Sequence, residues 1–155
     1  MPLFGPQRLR LFEGFVRTSD RLAARFGGNS ERPRHLEVGR RGEEAAYFYL
    51  RRSGYIVVAR AWRSAKVRGD LDLVAWQGSA LCFVEVKART SRETATAESA
   101  VDPEKMQTLR RMARQYLQGL PSPPAEVRFD VLAVYFADGK APEFEFIPGA
   151  FDWYQ

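Results

Sequence analysis

The sequence predicts an α/β protein with a mixed central sheet flanked by helices, and three observations carry that prediction. Two short apolar runs, 71–76 and 81–87, are joined by Gln77-Gly78-Ser79, which reads as a tightly turned strand pair. Apolar residues at helical spacing flank that pair on both sides. A long apolar strand, 127–136, then follows the second helix, so a crossover joins a sheet begun by hairpins and makes it mixed. At 155 residues, 45% hydrophobic and 28% charged, the chain suits one globular domain with a real core.

Residues 1–34 differ from the rest. They hold seven Arg against Glu13, Asp20 and Glu31, a net of +4, whereas 35–155 holds 17 basic against 16 acidic groups, a net of +1. Leu11, Phe12, Phe15, Val16, Leu22, Ala23 and Phe26 recur among arginines as on an amphipathic helix, and Gly27-Gly28-Asn29-Ser30 reads as a linker. Such an arm fits an organelle-type presequence, a membrane-surface helix, a nucleic-acid arm or an unstructured extension. The domain division read from this is a basic extension and linker, 1–34, and a folded domain, 35–155.

A first helix is expected over 36–53, with Ala45, Ala46, Phe48, Tyr49 and Leu50 on its apolar side and Gly54 as its stop. A strand over 55–59 follows, then a basic loop or strand extension, 61–68, carrying Trp62, Arg63, Lys66 and Arg68. After the central pair, 88–100 reads as a polar loop. Asp102-Pro103 then opens the second helix as N-cap and first helical residue. Met106, Leu109, Ala113, Tyr116 and Leu117 face the sheet by spacing, with Arg110, Arg111 and Arg114 toward the other side. Residues 144–147 read as an edge strand, followed by an aromatic tail of Phe151, Trp153 and Tyr154.

The central pair carries the chemistry. Side chains two apart on a strand share a face, so Asp70 and Asp72 point one way, as do Glu85 and Lys87, with Leu71, Leu73, Ala75, Cys82, Val84 and Val86 opposite. Burying such charges is costly unless they pair or bind a metal. Asp72 and Glu85 are hard oxygen donors suited to Mg²⁺ or Mn²⁺. A cation held there polarises a phosphodiester and acidifies bound water. Lys87 can offset charge that builds on the same phosphate. The alternative is a structural salt-bridge group with Lys87 neutralising one acid. Lys105 opposes the dipole in the first turn of its helix, which points to phosphate binding. Arg89 reads as either a phosphate contact or a surface charge, and Arg128 and Asp130 as a structural pair.

Asp72, twelve intervening residues, then Glu85-Val86-Lys87 resemble the active site of the PD-(D/E)XK nuclease superfamily. Gly39-Arg40-Arg41-Gly42-Glu43-Glu44, Gly69-Asp70-Leu71-Asp72-Leu73-Val74-Ala75, Phe83-Val84-Glu85-Val86-Lys87-Ala88-Arg89, Lys105 and Arg128-Phe129-Asp130-Val131 resemble more closely the YraN family of endonuclease-like proteins. That resemblance spans 36–136. It implies a restriction-endonuclease-like, junction-resolvase-like domain, Asp72 and Glu85 as ligands of Mg²⁺ or Mn²⁺, and Lys87 as catalytic lysine. It adds Glu43 as a fourth member contributed by the first helix. Asp70 stands where the family usually has Glu, which leaves it a helper. The implied activity is endonucleolytic cleavage of DNA rather than RNA, on branched or processed structures, by a homodimer. The alternative is a nucleic-acid-binding module that keeps the fold without catalysis. A single cysteine, Cys82, and the lack of an apolar run of membrane-spanning length or a secretory leader point to the cytoplasm.

Overall fold

The computed structural model describes residues 34–90 and 102–154. The readings placed on 1–33 and on the loop 91–101 lie outside those residues. Helix α1 (Arg34–Arg52) is followed by β1 (Ile56–Trp62), β2 (Leu71–Gln77) and β3 (Ala80–Arg89); then come α2 (Pro103–Gln118), β4 (Glu126–Tyr135) and β5 (Glu143–Phe151). The strands form one sheet in the order β1-β2-β3-β4-β5. Only β3 and β4 run parallel, joined by the α2 crossover; the other neighbours are antiparallel. The expected mixed sheet flanked by helices is thus the observed one.

Each helix covers one face. Ala46 and Leu50 of α1 pack with Leu73, Ala75, Cys82, Val84, Val86, Leu132 and Val134. Leu109, Met112 and Ala113 of α2 pack with Val74, Leu81, Phe83 and Phe129. Both sides of β3 are therefore buried, which is why its sequence is an apolar run rather than an alternation. Leu71 departs from the expected face: as the first residue of β2, opposite Trp62, it joins the α2 layer.

Local signals set the boundaries. The Asp102 side chain accepts from the N–H groups of Glu104 and Lys105, capping α2 as expected. Gly54 ends α1, with the Tyr55 N–H donating to Leu50 O at 3.0 Å. Helix α1 approaches the sheet through Gly42, where any Cβ would collide with that of Ala88. The contact line is therefore Gly42, Ala46 and Leu50, and Phe48, on the opposite side of the helix, is 47% exposed rather than packed.

Tertiary packing set the rest. Strand β1 extends through Ala61 and Trp62, the strand extension that is one of the two readings of 61–68, whereas β3 runs through Ala88 and Arg89 into a segment expected to be loop. Strand β5 continues past 147 to Phe151, because a register shift opposite Phe129 and Val131 absorbs Pro148 and Gly149. Phe151 stacks on Phe129 at 4.6 Å, and Trp153 meets the same ring edge-on at 4.9 Å. Arg110 lies on the buried side of α2, not the outer one. Its Nε donates to Asp152 O at 2.8 Å, and its guanidinium lies 5.5 Å from the Phe151 ring centre.

Candidate functional site

The β2–β3 pairing sets Leu73 opposite Val84 and leaves Asp72, Glu85 and Lys87 near the open end of the hairpin. Alternation puts these three on the α2 face, beyond Val74 and Phe83. There the apolar layer gives way to charge. Glu85 and Lys87 are 6% and 4% exposed, and Lys87 Nζ lies 2.8 Å from Glu85 Oε1. Lys105, reaching over from α2, places its Nζ 3.3 Å from the same oxygen. Glu85 Oε2 is buried without a hydrogen-bond partner. Asp72 Oδ2 accepts the Val86 N–H at 2.8 Å, a bond that ties its carboxylate across the hairpin to β3.

The two acids respond differently to the same enclosure. Burial, then the Glu85 charge, pushes the Asp72 carboxyl well above the usual range, against the pull of the Val86 N–H, Lys105 and Lys87. Burial also works to raise Glu85, but Lys87 and Lys105 together overcome it and hold Glu85 below the ordinary value. Glu43, half-buried on α1, is raised by burial and by Asp70, with Glu85 adding to the effect and Arg60 opposing it. Helix α1 thus contributes a third carboxylate within the electrostatic reach of Glu85.

Asp70 precedes β2, lies 3.7 Å from the exposed Arg63 guanidinium, and lines a groove of about 1130 Å³, while its charge also acts on Glu43. Gly69 (φ +128°) turns the chain there, and a Cβ on it would come within 3.0 Å of Thr108 on α2. The groove runs between the β1–β2 connection and the first turns of α2, lined by Arg63, Arg68, Asp70, Lys105 and Arg111 among others. Arg63, Arg68 and Arg111 were not candidates from sequence. Three arginines spread over two segments carry no spacing signal until the fold brings them together.

Arg89 is half-buried at the end of β3, and burial lowers its pKa. It does not line the groove. Arg128 and Asp130 form the expected structural pair: Nε and Nη2 of the arginine donate to the two carboxylate oxygens at 2.7 and 3.0 Å. Gln77, Tyr55 and the Gly149 N–H complete that network. Cys82 lies beside it; burial, with the Asp130 charge, pushes its thiol up to about 12, so it is no nucleophile at neutral pH. Trp62 packs edge-on against Tyr116 at 5.2 Å.

Among the described residues, no group of three or more His, Cys, Asp and Glu side chains is arranged to hold a metal ion. The centre offers two carboxylates from adjacent strands, one of them with a buried, unpartnered oxygen. That donor set suits a hard divalent cation sharing its coordination with water, as Mg²⁺ does when one or two carboxylates hold it. Also among the described residues, no helix is long and apolar enough to cross a membrane.

Fold and site together define a mixed α/β protein with a buried carboxylate–lysine centre at the open end of its central hairpin, beside a groove rich in arginine. The chain belongs to the family described as Uncharacterised protein family UPF0102, the YraN family, whose model matches residues 42–134. It is 44% identical over 137 residues to a UPF0102 protein of Koribacter versatilis, covering 88% of this chain and 94% of that one. A UPF0102 protein of Solibacter usitatus is 44% identical over 113 residues, covering 73% and 84%. One of Chlorobium phaeobacteroides is 38% identical over 120 residues, covering 74% and 94%. The matched span of the family model holds Glu43, Asp72, Glu85, Lys87 and Lys105 and stops before β5.

Proposed function

We propose that this protein is a divalent-metal-dependent endonuclease that hydrolyses phosphodiester bonds in DNA. The observation that carries the reading is the buried Glu85, bridged by two ammonium groups on one oxygen, bare on the other, and facing Asp72. Asp72 and Glu85 are the residues that would hold Mg²⁺ or Mn²⁺, which when bound supplies Lewis acidity to a phosphate and to water. Lys87 offsets negative charge that develops on the phosphoryl oxygens. Glu43 adds a half-buried carboxylate at the edge of the centre. Arg63, Arg68 and Arg111 hold backbone phosphates along the groove, contacts that position a strand without reading its sequence. A cytoplasmic setting accords with the buried, unpaired Cys82.

The test is cleavage of single-stranded, duplex and branched DNA by the purified protein with Mg²⁺ or Mn²⁺. Cleavage is expected, and its loss by at least about 100-fold in Asp72→Ala and Lys87→Ala, with DNA binding retained. No cleavage of any of these substrates with either metal overturns the reading. A second reading, a DNA-binding module without catalysis, draws on Asp70, whose carboxylate lies 3.7 Å from the Arg63 guanidinium. It predicts equal DNA binding by wild type and both variants, with no dependence on the metal.

A further inference from the structure

We propose that Lys105 is a displaceable counter-ion: it pairs with Glu85, competes with a divalent cation for that carboxylate, and turns into the groove as a phosphate ligand when the cation binds. This rests on the reading of Asp72 and Glu85 as metal ligands and adds to it a coupling between cation and polyanion.

Glu85 meets two ammonium groups, and they are not equivalent. Lys87 lies two residues along the same strand, 2.8 Å from Oε1 and 4% exposed, and has no room to leave. Lys105 comes from a different element, sits at 3.3 Å and is 16% exposed at the rim of the groove. Both converge on Oε1, while Oε2 stays bare. A divalent cation and the two ammonium groups would all draw on the one Glu85 carboxylate, and crowding three cations onto it in an enclosed site is costly unless one lysine withdraws. The lysine with access to solvent is Lys105.

The helix prepares that movement. The Lys105 N–H is tied to the Asp102 cap at 3.3 Å, so the base of the side chain is anchored while its four-carbon stem can turn. An ammonium in the first turn of a helix opposes the dipole, so an anion beside it is stabilising. The groove that Lys105 lines holds Arg63, Arg68 and Arg111 as well as Asp70, Asp102 and Glu104, and a phosphate held by the arginines would draw the Lys105 ammonium toward it. Cation and polyanion then help each other by the same factor, because each favours the state in which Lys105 has left Glu85.

Two measurements test this. Calorimetric titration with Mn²⁺ compares wild type with Lys105→Met, which keeps the apolar stem and removes the charge. The variant is expected to bind Mn²⁺ about tenfold or more tightly than wild type, the size of one charge-assisted contact. Equal or weaker binding by the variant overturns the counter-ion role and leaves the metal site standing. No Mn²⁺ binding by either protein overturns both. The second measurement needs no variant: peptide-resolved acetylation of Lys105 in wild type, with and without saturating Mn²⁺. Labelling is expected to rise several-fold with the cation and not with matched Na⁺. Unchanged labelling while Mn²⁺ is bound overturns the proposal even if Lys105→Met fails to fold.

Discussion

Asp72 and Glu85 lie on adjacent strands, and enclosure moves them in opposite directions because only Glu85 has ammonium partners in contact. The consequences for stability have opposite signs. Asp72 is raised in the folded chain, so the folded state keeps a proton that the unfolded chain has lost. Its contribution is therefore fully present below the ordinary carboxylate range and fades as pH rises through the folded value. Glu85 is lowered, so its contribution is present above the ordinary range and lost as pH falls through the folded value. Asp72→Asn keeps an acceptor for the Val86 N–H and removes the charge. In the absence of metal it is expected to raise stability at neutral pH by about 1–2 kcal/mol and to flatten its pH dependence, read by thermal melts between acid and neutral pH. At this scale the acids and Lys87 were legible from alternation along two strands. Lys105 was legible only as a charge in conflict with its helix; its partner is another element's side chain. Arg110 was misplaced because an arginine on an apolar stripe is normally turned outward, and here the Asp152 carbonyl and the Phe151 ring receive it.

At the scale of elements, two glycines and one cap hold the site's frame. Gly42 lets α1 close on Ala88, one residue from Lys87, and so brings Glu43 toward the centre. Gly42→Ala is expected to push the helix off β3, costing about 1–3 kcal/mol in denaturant unfolding and weakening any cleavage together with it. Asp102 caps the helix that carries Lys105, and Asp102→Ala is expected to cost about 1 kcal/mol in the same measurement. Gly69 lets the β1–β2 connection close on Thr108, which forms one wall of the groove. The hairpin turn, the Gly54 stop and the Asp-Pro start of α2 were readable because each is decided within a few residues. The full length of β5 was not: Pro148 and Gly149 read locally as a break, and only pairing with β4 carries the strand past them.

For the whole molecule, charge is divided between the two faces of the sheet. The Arg128–Asp130 network lies on the α1 face with both carboxylate oxygens hydrogen-bonded, while the Asp72–Glu85 centre on the α2 face keeps an unpartnered oxygen. If the groove carries backbone phosphates, replacing Arg63, Arg68 and Arg111 with Gln is expected to lower the salt dependence of duplex binding by about 0.9 for each phosphate no longer neutralised, with Mn²⁺ affinity unchanged. The mixed sheet was legible at this scale because hairpins precede the crossover in the chain; the groove was not, being a product of two separated segments. The strand order β1-β2-β3-β4-β5 has one more consequence, in time rather than space. Asp72, Glu85 and Lys87 come from a single hairpin that needs only a short loop to close, whereas β4 reaches β3 only after the chain has passed through α2. Loop closure thus favours a folding order in which the acids meet before Lys105 reaches them. Val74→Ala, within the hairpin, is expected to slow refolding in stopped-flow measurements, and Leu132→Ala, within β4, mainly to speed unfolding. If Asp72 and Glu85 hold a divalent cation, that cation present during refolding is expected to accelerate the hairpin step.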